Sequence, residues 1–384
     1  MLLCVVFVAR GAQAQTYTVL YAFGTNSNDG VGGPVGDLVL DNAGNLYGTT
    51  AGTVFQVDAT GKETVLHAFT ISDGYAAHGG LIRDPAGNFY GTASAGGAYG
   101  QGTEFKLTKA GKFRVLYSFA GGSADGAQPY GGLARDAAGN LYGTTLSGGG
   151  FGTVFKVDPS GKETVLHSFT GSPDGASPWA GLVRDTDGNL YGTTRGGGAF
   201  TRGTVFKIDA AGKETVLHSF SGYQGKEPMG ALTLDAAGNL YGTADEGTVD
   251  HQGSLFKLDP SGKVTALYRF TELDGAEPVT GLTRDASGNL YGTTLFGGNL
   301  NCATGASVGG CGVVFKRDTK GNLTVLYSFP GNGFGPGTDG GLPFTNIVRD
   351  SAGNLYGTAQ SGGDLQCQGN SFLPGCGVVF KITP

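Results

Sequence analysis

Lysine and arginine never cluster in this chain. Its 25 basic residues are scattered among 31 acidic ones, for a formal net charge of -6. Without a basic patch there is no electrostatic footprint for nucleic acid or an anionic lipid surface, so polyanions are excluded as partners. No stretch after the opening residues approaches the roughly 18 apolar residues that would span a bilayer, so no membrane insertion is expected. Apolar spacing near 3.6 residues is absent throughout, which removes the amphipathic helix from the available elements. Glycine is abundant, 74 of 384 residues, but it comes with neither a Gly-X-Y period nor a polar low-complexity tract. That excludes collagen and disorder and points to many tight turns. Nor is there a Gly-x-Ser-x-Gly elbow, a phosphate loop or a His-Glu-x-x-His motif, so no cofactor and no metal are expected.

Cysteine is scarce, five in all, and its placement is informative. Cys4 lies in the opening "MLLCVVFVARGAQAQ", where an apolar run from Leu2 to Val8 precedes Ala12-Gln13-Ala14, the small-x-small pattern of a secretory cleavage site. Residues 1–14 therefore read as a signal peptide without a basic n-region, and 15–384 as one domain exported to the periplasm or the extracellular space. The other four cysteines form two pairs of equal spacing, Cys302 with Cys311 and Cys367 with Cys376, each ending in "CGVVFK". Four cysteines allow three pairings. The duplicated context favours two local disulfides, and the eight residues inside each pair exceed the two to four of zinc clips.

What the sequence has in excess is repetition. "DAAGNLYGTT", Asp136 to Thr145, returns as "DAAGNLYGTA" at Asp235 to Ala244, with five looser copies elsewhere. The unit is roughly 50 residues, the length of a propeller blade. Each unit carries four short runs rich in Val, Phe, Tyr and Leu, the mark of strands. In the fourth unit they are Gly181 to Asp185, Asn189 to Thr194, Gly203 to Asp209 and Glu214 to Phe220. The phase at the ends is complementary: the chain after residue 14 begins with a lone fourth strand, Tyr17 to Phe23, and finishes on a third strand, Gly377 to Ile382. A ring closes by laying the first beside the last and leaves no long edge. The expected fold is thus all-β, a seven-bladed propeller of four-stranded antiparallel blades closed by its N-terminal strand. Asp-x-x-Gly-Asn turns mark one end of the ring. The other end carries the variable loops and a loose Asp-Gly-x-x-Pro, and on such a face binding and catalysis usually sit.

The consensus, roughly "GTVFK..GKETVLHSF....DG..P..GL..D..GNLYGTT", resembles the GloVer tandem repeat of bacterial secreted and surface proteins, the choice-of-anchor group. The resemblance covers nearly the whole chain after residue 14. It implies a propeller and an exported protein, and it transfers no catalytic or binding residue. Two departures stand out: the chain ends at "KITP" without an anchor, which argues for release from the cell, and the fifth unit has Gln224 where the others have Asp.

Repeated polar residues read as scaffold. His67, His167 and His218 share one slot of the outermost strand in blades one, three and four, too far apart to surround one ion. The "NLYGT" tyrosines suit blade packing, and the arginines Arg83, Arg135, Arg184, Arg284 and Arg349 are expected to form ion pairs with Asp. Calcium at "NSNDG", Asn26 to Gly30, is a minor option beside a plain turn. Function needs asymmetry, and that lies on the loop face. After the shared Pro stand Val35, Tyr130, Trp179, Met229 and Val279, with Phe344 after Pro343. Tyr130 and the lone tryptophan, Trp179, are expected to flank the channel mouth, where aromatic faces suit sugar rings or peptide side chains. Arg195 and Arg202 sit on a loop of blade four, with Asp245, Glu246, Asp250 and His251 on the equivalent loop of blade five. The reading is a monomeric recognition module for a glycan or an extracellular protein. The alternative is a polysaccharide lyase or hydrolase using those charged loops.

Overall fold

The repeated decapeptide folds, in every copy, around its aspartate. At Asp136 one carboxylate oxygen accepts the Asn140 amide N–H at 2.9 Å, and the other accepts Asn140 Nδ2 at 2.7 Å and the Tyr142 hydroxyl at 3.0 Å. Gly139 takes φ 91°, the left-handed conformation the turn requires. All seven tyrosine hydroxyls make this bond, at 3.0 to 3.1 Å. The glycine of Tyr-Gly-Thr makes room for a ring: a Cβ at Gly143 would lie 2.6 Å from Phe155 Cζ. The threonine reaches across to the next blade, where Thr144 Oγ1 donates to the Ala180 carbonyl at 2.8 Å.

The computed structural model describes residues 15–24, 33–222, 225–245, 252–302, 309–331, 337–367 and 374–384. Its strands form seven four-stranded antiparallel sheets, six of them in chain order from first to fourth strand, and a two-stranded ribbon of Gly126–Ala127 with Ser147–Gly148. Blade four, for example, consists of Val183–Arg184, Leu190–Thr194, Thr204–Ile208 and Glu214–Ser219. In blade seven the fourth strand is Thr16–Ala22, antiparallel to Val378–Thr383 with Tyr17 opposite Ile382. The ring closes as the phase of the repeat requires.

Adjacent blades meet through one recurring aromatic contact. The Phe that ends each outer strand packs edge-to-face on the central Phe of the next blade's third strand. The pairs run from Phe23 with Phe55 at 5.0 Å to Phe329 with Phe380 at 5.5 Å, and five more complete the circle. Such pairs add about 0.5–1.5 kcal/mol each beyond their burial. One expectation is corrected here. Arg135, Arg284 and Arg349 are not within ion-pair distance of Asp; each guanidinium lies 5.8 Å from the ring centre of the preceding blade's tyrosine. The Asp carboxylate is already filled by Asn and Tyr donors, and the arginine takes the ring face instead.

Candidate functional site

The connection from each outer strand to the next blade is fixed by one unusual residue. Ala76, Gln128, Ser177, Glu227, Glu277 and Leu342 all adopt φ between 51° and 58°, the left-handed region that ordinary side chains avoid. Each of their amides donates to the second-to-third loop of the preceding blade, as Gln128 N–H does to Gln101 O at 2.8 Å and Ser177 N–H to Phe151 O at 2.8 Å. Blade one has Gly33 at this point, φ 69°. Two residues further on, the chain reaches the axis and presents one side chain to the mouth.

Seven such side chains encircle a small, open depression of about 70 Å³: Val35, His78, Tyr130, Trp179, Met229, Val279 and Phe344. Five of the seven next positions are Gly or Ala because the chains almost touch there; a Cβ on Gly131 would sit 2.5 Å from the Ala180 carbonyl carbon. The ring is not symmetric. His78 stacks on Tyr130 at 4.8 Å with planes 15° apart, and Tyr130 meets Trp179 at 4.6 Å and 32°. One arc is therefore a continuous aromatic ladder, and the rest is aliphatic or Phe. Burial pushes the His78 imidazole down to about 4, so at neutral pH it stacks as an uncharged ring. Across from the ladder Asp37 and Asn346 line the same depression. Asn346 donates its amide N–H and its Nδ2 to the two Asp37 oxygens, at 2.8 and 2.7 Å. Burial raises the Asp37 carboxyl, and the Asn346 bonds pull it back.

Of the residues singled out from sequence, the structure thus brings Tyr130 and Trp179 together at the mouth. Arg195 and Arg202 are exposed and do not line it: Arg195 Nε donates to Glu227 at 2.9 Å, and Arg202 Nη1 to the Ser221 carbonyl at 3.2 Å. Asp245 is buried at the end of a blade-five strand. His251, Glu246, Asp250, Gln224, the Asn26 to Gly30 turn and the signal-like residues 1–14 lie outside the described residues. Both disulfides pair as the spacing suggests, Cys302 with Cys311 and Cys367 with Cys376. His78 was missed because "DGYAAH" lacks the Pro used to align the loops; alignment on Asp-Gly places it level with Tyr130. Asp37 and Asn346 gave no signal, being adjacent in space only after closure.

Fold and site together define a seven-bladed β-propeller with an asymmetric aromatic mouth on its loop face. The chain belongs to the Gloeobacter/Verrucomicrobia repeat family, whose model matches residues 78–306. Among solved structures it is similar to virginiamycin B lyase from Staphylococcus aureus, with TM-score 0.63, 15% identity, and 96% of this chain and 99% of that one covered. It is also similar to the extracellular domain of a protein named as a hybrid two component system from B. thetaiotaomicron, with TM-score 0.60 and 13% identity. That match covers 96% of this chain but only 41% of the other. Identities this low speak for the fold alone. No match is found among the curated proteins.

Proposed function

We propose that the protein is an extracytoplasmic recognition module that binds a glycan or a protein ligand at the axial mouth. Two disulfides suit an oxidising compartment, and a similar propeller forms part of an extracellular domain in the B. thetaiotaomicron protein. The observation that carries the reading is the ladder His78, Tyr130, Trp179 along one arc of a concave, solvent-open mouth. All seven units supply the same backbone, yet only three consecutive ones place rings in contact with one another; the remaining ring, Phe344, belongs to blade seven. Tyr130 is flanked by rings on both sides, so the free stacking faces are at the two ends of the ladder, His78 and Trp179, of which the indole is the larger. Sugar rings and aromatic or aliphatic side chains are the ligands such a surface suits. The charged loop of blade four lends no support to the enzymatic alternative, because Arg195 and Arg202 brace neighbouring loops instead of converging on a cleft.

A glycan array on the mature protein, run beside a screen for reducing ends and unsaturated products, tests the reading. Trp179→Ala should weaken binding by about 1–3 kcal/mol, the range of hot-spot truncations, with the fold intact by circular dichroism. Tyr130→Phe should bind within twofold of wild type. A ligand held equally well by Trp179→Ala refutes the mouth as the site, and released products would favour the enzyme.

A further inference from the structure

Beyond the mouth, the seams between blades carry a second break in symmetry. Near the end of each outer strand stands a His or Tyr, the following loop supplies an aspartate in every unit but the fifth, which has Gln224, and the next blade's outer strand follows. Between blades two and three these are Tyr117, Asp125 and Glu163; between five and six, Tyr268, Asp274 and Leu323. In both, the tyrosine hydroxyl donates to the aspartate, at 2.9 and 2.6 Å. Between blades one and two the set is His67, Asp73 and Phe113. There the imidazole bonds Asp73 at 3.2 Å and stacks on Phe113 at 3.7 Å, which satisfies it without further partners. Read along the sequence, one seam alone combines a histidine with two carboxylates: His167, Asp174 and Glu214, between blades three and four.

The three ligand atoms of that seam lie within 4.8 Å of one another, the only such convergence of His, Cys, Asp or Glu among the described residues. His167 Nε2 stands 3.3 and 3.2 Å from the two Asp174 oxygens. Two ligands held at about 2.0–2.1 Å by a tetrahedral ion are separated by roughly that distance. Asp174 is anchored from behind by the Thr170 amide at 2.9 Å and hydroxyl at 3.1 Å. Glu214 completes the set: its Oε1 is shut off from solvent and accepts no hydrogen bond, as is true of Glu163 Oε1 at the seam between blades two and three, where Tyr117 stands in place of an imidazole. At the first seam a ring occupies this position; here it is a carboxylate facing another carboxylate, with the His167 imidazole beside them both.

The geometry points to a divalent transition-metal site at this seam, with His167, Asp174 and Glu214 as protein ligands and water completing the shell. An imidazole with two carboxylates suits Zn²⁺ or Mn²⁺ and does not suit Ca²⁺, which takes oxygen ligands. The site lies on the outer strands, roughly 14 Å outside the innermost ones. Its role is therefore to clasp two blades and the loop between them, separate from ligand recognition at the axis.

The protein's own repeats provide variants that keep the fold. His167→Tyr installs the residue found at Tyr117 and Tyr268, which retains a donor for Asp174; Glu214→Val installs the residue found at Val264. Untagged, chelator-stripped full chain is titrated calorimetrically with ZnCl₂, and bound zinc is counted by elemental analysis after dialysis. Wild type should retain one equivalent and melt at a higher temperature with zinc than with chelator. Each variant should bind at least tenfold more weakly while melting, in chelator, as the stripped wild type does. Absence of stoichiometric zinc in wild type, or wild-type affinity in either variant, overturns the site.

Discussion

Glu104 occupies the third-strand position that Val54, Val154, Val205, Leu255, Val314 and Val379 hold in the other blades. It is fully buried, and neither carboxylate oxygen has a hydrogen-bond partner. Burial first, and the nearby Glu163 second, hold its carboxyl well above the ordinary range. Such a group remains protonated in the folded chain while the unfolded chain releases its proton above about pH 4.3. Stability is thus undiminished below that pH and falls as pH rises toward the folded-state value. Glu163, raised to about 7 by burial and by Asp125, acts in the same sense. Glu104→Val should stabilise the protein by about 1–3 kcal/mol at pH 8, from removal of an unsatisfied buried group, and by much less at pH 4.5. Chemical denaturation at the two pH values checks this; a gain independent of pH, or a loss, would show that Glu104 has a partner. The odd letter is plain in the sequence as "GTEFK" among "GTVFK" repeats, but its burial against a second carboxylate is not.

At the scale of strands and turns, the decapeptide is legible because its roles are local. Asp, Gly, Asn and Tyr satisfy one another within seven residues, so the hairpin and its count could be read directly. The glycine before Thr is different, since its reason is the Phe ring of the neighbouring strand. A Cβ at Gly192 would lie 2.6 Å from Phe206 Cζ and 2.8 Å from Leu182 Cδ2, whereas one at Gly52 meets nothing within 4 Å. Neither residue has positive φ, so sterics alone separate them. Gly192→Ala should cost about 1–3 kcal/mol through overpacking, and Gly52→Ala should be neutral, both measured by thermal melting. Equal effects at the two sites would mean that the blade relaxes around the added methyl. The left-handed residues that deliver the mouth side chains were not foreseeable. Gln128, Ser177 and Leu342 share no chemistry, and their conformation is imposed by bonds to the preceding blade's loop.

For the molecule as a whole, the complementary phase of the two chain ends foretold where the ring closes, because half a blade at each end leaves one arrangement without an open edge. It foretold the outer fastening only. The sheet holds Thr16–Ala22 at the rim, and Phe23 joins blade seven to Phe55 of blade one. A second fastening lies at the axis, where Asp37 and Asn346 occupy the ring position filled by Gly80, Gly132, Gly181, Ala231 and Gly281 in the other blades. The only two polar residues of that inner ring face each other across the closure, 309 residues apart in sequence. No sequence period could reveal the pair, since each member is an exception to the repeat and the two meet only once the circle is complete. If the pair is a latch, the two residues must be coupled. Asn346→Gly should destabilise by about 1–3 kcal/mol, because it strips the largely enclosed Asp37 carboxylate of its side-chain donor and leaves it only the backbone N–H. Asp37→Gly should cost less, and the double variant should be more stable than Asn346→Gly alone, since it restores the residue of most other blades. Removing residues 15–23 should then expose the Val378–Thr383 edge and bring aggregation, more severely in the Asn346→Gly background than in wild type. Additive single effects in the denaturation cycle, or a truncated chain that stays monomeric and melts normally, would mean that blade packing alone holds the ring shut.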